Sequence, residues 1–187
     1  MTTYRSTRGD VTGASFEEVV LGGLAPDRGL YVPESIPKFT PAEIDGMKDF
    51  SFEQLAVAVM SKYIPVGEVP RADLVQLVAA STINFRAAGV TPVVKTGAFW
   101  TLELFHGPTF AFKDVALQFL GNLFEYFIAR KPKAEDRVLT IMGATSGDTV
   151  HTTWRHWLYL MTKTVVGLMS RTTPPQTFRH APYAVYG

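Results

Sequence analysis

Leu102-Glu103-Leu104-Phe105-His106-Gly107-Pro108-Thr109-Phe110-Ala111-Phe112-Lys113-Asp114 is the stretch whose reading decides the fold. Leu102 to Phe105 is extended-compatible and mostly apolar, and His106-Gly107-Pro108-Thr109 then breaks any periodic pattern with turn chemistry. From Phe110 onward apolar residues recur at helical spacing: Phe112, Val115, Ala116, Phe119, Leu120, Leu123, Phe124 and Phe127. The pattern predicts a strand, a turn and a long helix over 110–129, opened by Pro108 or Thr109, with Lys113 in its first turn. Arg130-Lys131-Pro132-Lys133 is a basic stop that suits a helix C-terminus.

A lysine at the positive end of a helix is electrostatically misplaced, although Asp114 beside it offsets the charge. An amine held there among Phe110, Phe112 and Val115 has its charged form disfavoured by desolvation, which is how a lysine becomes a nucleophile or an imine partner. The alternative is a surface lysine whose methylene stem covers an amphipathic helix.

Working outward, Val90 to Lys95 and Phe99 to Phe105 are extended runs joined by Thr96-Gly97-Ala98, which predicts a hairpin feeding the lysine turn. Downstream, Val138-Leu139-Thr140-Ile141-Met142 is a continuous apolar run, as expected of a strand buried on both faces of a parallel sheet. Strand, helix and strand in that order make a βαβ unit. Gly143-Ala144-Thr145-Ser146-Gly147-Asp148-Thr149 follows at the carboxyl end of the second strand, where open α/β sheets bind ligands. No GK[ST] follows, so the loop is not a P-loop.

The amino-terminal part alternates short elements. Tyr4 to Arg8 is a candidate strand, and Ser15 with Glu18 forms a capping box ahead of a short helix ending at Gly22-Gly23. Leu30-Tyr31-Val32 is extended and closed by Pro33. Ser51-Phe52-Glu53-Gln54 opens a helix bearing Leu55, Val57, Ala58, Val59 and Met60, ended by Pro65. Arg71 to Phe85 reads as another helix with Leu74, Leu77 and Val78 on one stripe. A boundary near Gly89 separates a leader domain, 1–89, from a cofactor domain, 90–149.

The segment 150–187 has a different character. It contains no Asp or Glu, carries Arg155, Lys163, Arg171 and Arg179, and holds Trp154 and Trp157. Trp154 to Met169 is apolar enough for a buried or interfacial helix but too short and charged to span a bilayer. His151, His156 and His180 lack metal-ligand spacing on a common helix face, so no metal site is expected. Across the 187 residues, 47% are hydrophobic, 19% are charged and the net charge is +1, which is ordinary for a soluble protein and gives no support to a nucleic-acid partner. The absence of cysteine excludes disulfides and thiolate chemistry. The start, MTTYRSTRGD, has no apolar h-region, and a cytoplasmic location with no membrane partner is expected.

His106 to Asp114, HGPTFAFKD, resembles the lysine segment of threonine synthases, pyridoxal-phosphate enzymes of the fold type II group. The resemblance implies that Lys113 is catalytic and carries the cofactor as an imine. Gly143 to Thr149 looks like the family's GATSGDT loop, which implies that Thr145, Ser146 and Thr149 hold the substrate carboxylate and that Asp148 lies beside the cofactor. Tyr4-Arg5-Ser6-Thr7-Arg8-Gly9 and Ser15 to Glu34 are similar to the family's amino-terminal segment, with Arg28 standing where a glycine is usual. The three blocks occur in the family's order and span about residues 4 to 149.

The resemblance implies an α/β fold: a small α/β leader, a partial pyridoxal-phosphate-binding domain with a mainly parallel sheet, and a divergent basic aromatic tail. It implies conversion of O-phospho-L-homoserine and water to L-threonine and phosphate. In the family a glycine and small residues follow SGDT, whereas Val150-His151-Thr152-Thr153-Trp154 follow here. The family's glycine-rich phosphate loop lies far downstream. A truncated form with little or no activity is therefore expected. The alternatives are a non-catalytic module that pairs with a full-length homologue, and another fold type II enzyme such as a threonine dehydratase, which does not account for the leader.

Overall fold

The computed structural model describes residues 2–132 and the backbone of strands 139–145, 164–170 and 173–178. The chain is a mixed α/β protein that divides into two compact units, Met1–Leu102 and Glu103–Gly187.

The first unit begins with β1 (Tyr4–Ser6), which pairs antiparallel with β2 (Tyr31–Pro33) in the register Tyr4 to Pro33. Between them lies α1 (Phe16–Gly22), whose Ser15 capping box with Glu18 is formed as the sequence predicts. The Glu68 carboxylate accepts from the backbone N–H groups of Phe16 and Glu17, at 3.1 and 2.7 Å. A negative charge thus meets the unsatisfied amides at the start of α1. The Ser6 hydroxyl donates to Asp27 at 2.7 Å, and Asp27 also accepts from the Gly29 N–H at 2.9 Å. A Cβ on Gly29 would collide with the Ser6 hydroxyl, so this close approach requires glycine. Arg28 sits at φ 65, in the left-handed region. The position at which Arg28 departs from the usual glycine is therefore one where glycine suits the backbone.

A helix that the punctuated stretch 33–47 does not announce, α2 (Pro41–Gly46), follows a Thr40 N-cap with a Glu43 capping box and proline in its first turn. Lys62 Nζ lies 2.7 Å from the Glu43 carboxylate and 4.9 Å from the centre of the Phe39 ring. The lysine hydrogen bond, with help from Thr40, lowers the Glu43 carboxyl to about 2.

Two longer helices complete the leader. In α3 (Phe52–Met60) Ser51 and Gln54 form the capping box. Only Val57 of its apolar set is buried, and Leu55 is exposed. In α4 (Arg71–Thr82) the predicted stripe Leu74, Leu77 and Val78 is buried together with Ser81. The two helices pack on one another. Tyr4, Ala14, Ala25, Ile64 and Val69 are also buried in this unit. The Tyr4 hydroxyl donates to the Tyr63 carbonyl at 2.9 Å, joining the first strand to the segment after α3.

The predicted hairpin is present but shorter. β3 (Val93–Thr96) and β4 (Phe99–Leu102) pair antiparallel with Thr96 opposite Phe99, so Gly97, at φ 63, and Ala98 make a two-residue turn. Val90, at φ 57, interrupts the extended run that the sequence begins there.

In the second unit α5 spans Asp114–Ala129, not Phe110–Ala129. Phe110 adopts φ 63, a conformation no right-handed helix contains, so the helix starts four residues later and Lys113 is its N-cap. β5 (Leu139–Thr145) runs parallel to β6 (Thr164–Ser170), and β6 pairs antiparallel with β7 (Thr173–Phe178). β4 forms its own two-stranded sheet with β3, so the parallel partner of β5 lies after it in the chain rather than before α5. The helix expected over Trp154 to Met169 is contradicted at its end. Thr164, Val165 and Val166 carry β-branched side chains that favour the strand observed, while 154–163 lie outside the described residues. Pro174 and Pro175 are compatible with the edge position of β7.

Candidate active site

The lysine turn is built from the residues flanking Lys113. Pro108 and Gly107 end the extended approach, and the Phe110 N–H donates to the Gly107 carbonyl at 3.3 Å. The chain then passes through the left-handed Phe110, and the Asp114 N–H donates to the Ala111 carbonyl at 3.0 Å. Asp114 is completely buried. Its carboxylate accepts from the Thr109 N–H at 2.8 Å and from the Thr109 hydroxyl at 2.8 Å. A Cβ on Gly107 would strike the Asp114 side chain, so glycine is what lets the turn close on the carboxylate.

Lys113 leaves this turn with helical backbone angles, φ −61 and ψ −24, and its carbonyl accepts from Leu117 N–H at 2.9 Å. Its side chain is half-buried, with Nζ 5.6 Å from the centre of the Phe112 ring, within cation–π range. Phe110 and Phe112 are 63% and 61% exposed, so they do not enclose the amine in the apolar wall that the sequence pattern suggests. Just upstream, His106 Nε2 lies 2.7 Å from the Glu103 carboxylate, and its ring lies tilted by 34° against Phe105, with the centroids 4.5 Å apart.

Of the other site residues expected from the sequence, Thr145 is the last residue of β5, at the carboxyl end of a parallel strand. Ser146, Asp148 and Thr149 lie outside the described residues. Sequence reasoning missed three features: the Thr109 to Asp114 latch, the His106 to Glu103 pair, and Gln118. The last is completely buried, with neither its amide nitrogen nor its oxygen hydrogen-bonded. The spacing Thr109 to Asp114 carries the only signal for the latch, and it spans a turn rather than a helix. Among the described residues no group of three or more His, Cys, Asp or Glu is arranged to hold a metal ion, and no helix is long and apolar enough to cross a membrane.

The described residues define a mixed α/β chain with a lysine at the head of its longest described helix. Residues 3–82 match the family model described as the threonine synthase N terminus. The threonine synthase of Schizosaccharomyces pombe is 53% identical over 153 residues, covering 79% of this chain and 30% of that protein. The threonine synthase of Saccharomyces cerevisiae is 49% identical over 157 residues, with 78% and 30% covered. Among solved structures, yeast threonine synthase superposes with a TM-score of 0.82 at 43% identity, over 91% of this chain and 35% of that one. Threonine synthase from Brucella melitensis, solved with pyridoxal phosphate bound, gives 0.81 at 37% identity, over 91% and 36%. The chain belongs to the threonine synthase family and corresponds to its amino-terminal part. It spans about 30% of the length of the curated relatives it matches.

Proposed function

We propose that this chain is the lysine-bearing portion of a threonine synthase, using pyridoxal phosphate to convert O-phospho-L-homoserine and water to L-threonine and phosphate. The observation that carries the reading is the turn 107–114, which sets Lys113 at the head of α5 within the segment that resembles the family's lysine motif. The residues present fit the cofactor chemically: a primary amine, half-buried, on a backbone held from both sides, beside an aromatic ring. Bound there, pyridoxal phosphate supplies an electron sink for carbanion chemistry. Lys113 would hold the cofactor through its amine, and the same amine would move protons at the substrate carbons. By the family resemblance, Thr145, Ser146 and Thr149 would bind the substrate carboxylate and so orient the amino acid, and Asp148 would help to hold the cofactor. We place this function in the cytoplasm.

Because the chain spans so little of its relatives, this portion has little or no turnover by itself. A second reading, a non-catalytic module that pairs with a longer homologue, is favoured by the exposed apolar side chains of β4, Phe99 at 76% and Trp100 at 71%. The test of the first is recombinant chain incubated with pyridoxal phosphate, reduced with borohydride and mapped by mass spectrometry. A covalent adduct on Lys113 that is absent in Lys113→Ala supports it, and label spread evenly over the lysines sinks it. Phosphate release from O-phospho-L-homoserine, set against ammonia release from threonine, separates the family reaction from a dehydratase.

A further inference from the structure

We infer that Asp114 is a positioning residue for Lys113, its carboxylate closing the 107–114 turn on Thr109 so that the lysine amine leaves the head of α5 in one direction. This rests on the reading of Lys113 as the reactive amine.

The argument starts from cost. A completely buried carboxylate must be hydrogen-bonded to be tolerated, and Asp114 takes both the N–H and the hydroxyl of Thr109, each at 2.8 Å. Those bonds join the residue directly after Lys113 to one four positions before it. The intervening loop is held in an unfavourable shape, since Phe110 sits at φ 63 where a non-glycine residue is strained. Strain of this kind persists only when surrounding contacts over-determine it, and the latch is such a contact. Gly107 supports the same geometry from the opposite side, because any side chain there would push the carboxylate away from Thr109. Lys113 therefore has its carbonyl committed to the helix, through Leu117 N–H at 2.9 Å, and its following residue committed to the turn. The backbone is thereby held on both sides of the lysine.

Asparagine can replace this latch and alanine cannot. The Asn oxygen accepts from the Thr109 N–H while its amide donates to the Thr109 hydroxyl oxygen. Positioning thus survives Asp114→Asn, whereas a role resting on the negative charge does not.

The experiment compares the full chain with D114N and D114A by two readouts. One is acetylation by limiting acetic anhydride, scored as the ratio of Lys113 to the exposed Lys95 and needing no cofactor. The other is the rate at which borohydride fixes pyridoxal phosphate on Lys113. D114A is expected to shift the acetylation ratio by about threefold or more and to slow labelling by about tenfold or more, with D114N within about twofold of wild type on both. Wild-type behaviour of D114A overturns the inference, as does a D114N that keeps its far-ultraviolet circular dichroism yet behaves like D114A. If D114A loses its helical signal, T109V, which removes the hydroxyl donor alone, must shift the ratio in the same direction or the inference fails. A wild-type chain that takes no cofactor label refutes the reading of Lys113 as the cofactor lysine, while the acetylation ratio still decides what Asp114 does.

Discussion

Tyr4→Phe tests how the leader is held together. The Tyr4 ring is 7% exposed and lies 6.1 Å from the Phe16 ring, while its hydroxyl donates to the Tyr63 carbonyl at 2.9 Å. Removing the hydroxyl leaves a part-buried carbonyl without that donor, which costs about 1–2 kcal/mol at neutral pH. Burial, reinforced by the Glu68 charge, raises the phenol from 10.0 to about 12. A group whose folded pKa is raised contributes stability that is fully present below the unfolded value and is lost as pH rises through the folded one. Between pH 10.0 and about 12 the Tyr4 phenol therefore gives up about 1–2 kcal/mol once solvent screening is allowed for. Phenylalanine has no proton to lose. Urea unfolding of both chains, followed by far-ultraviolet circular dichroism across that range, gives the difference directly. Wild type should lead by about 1–2 kcal/mol at neutral pH, and the lead should close as pH rises from 10.0 to about 12. Subtraction cancels the groups that do not interact with Tyr4, whereas the Tyr63 charge, which also raises the Tyr4 phenol, stays in the difference. A difference that stays flat to pH 12, or widens, would show that the Tyr4 hydroxyl is not desolvated and that the anchor to Tyr63 is not made.

Other expectations follow from the same packing. Leu74→Ala empties a site 1% exposed in α4 and should cost about 2–5 kcal/mol by urea unfolding. Gln118→Met replaces a buried, unbonded carboxamide with an apolar chain of similar length and should raise stability by about 1–2 kcal/mol; a loss would mean the carboxamide is engaged in solution. Arg28→Val puts a β-branched residue at φ 65 and should destabilise by about 1–2 kcal/mol, whereas Arg28→Gly should stay within about 1 kcal/mol of wild type. Lys62→Met should let the Glu43 carboxyl rise from about 2 toward its ordinary 4.5, read by NMR titration of the side-chain carboxyl.

The leader was legible wherever chemistry acts over three or four residues. Ser15 with Glu18 and Ser51 with Gln54 start helices because one side chain and one backbone amide satisfy each other locally. Thr40-Pro41-Ala42-Glu43 carries the same code, but the surrounding prolines and glycines mask it when a stretch is judged by its punctuation. The stripe of Leu74, Leu77 and Val78 was legible because α4 buries a regular face. The strand Thr164–Ser170 was not: an apolar run of that length fits helix and strand alike, and β-branching decides when a parallel neighbour such as β5 is at hand.

At the candidate site the residue types were legible and the geometry was not. Apolar periodicity from Phe110 into the helix is real, yet it cannot register that Phe110 turns left-handed, because a phenylalanine gives no hint of positive φ. Once that residue leaves the helix, the start moves to Asp114, and the carboxylate falls within reach of the Thr109 N–H and hydroxyl. Lys113 thereby becomes the N-cap, its carbonyl accepting the first bond of the helical ladder from Leu117 N–H. The four residues Gly107, Thr109, Phe110 and Asp114 explain one another: glycine admits the carboxylate, the carboxylate binds threonine, and that bond holds the phenylalanine in its strained shape. Such reciprocity has no period, so it emerges only in three dimensions.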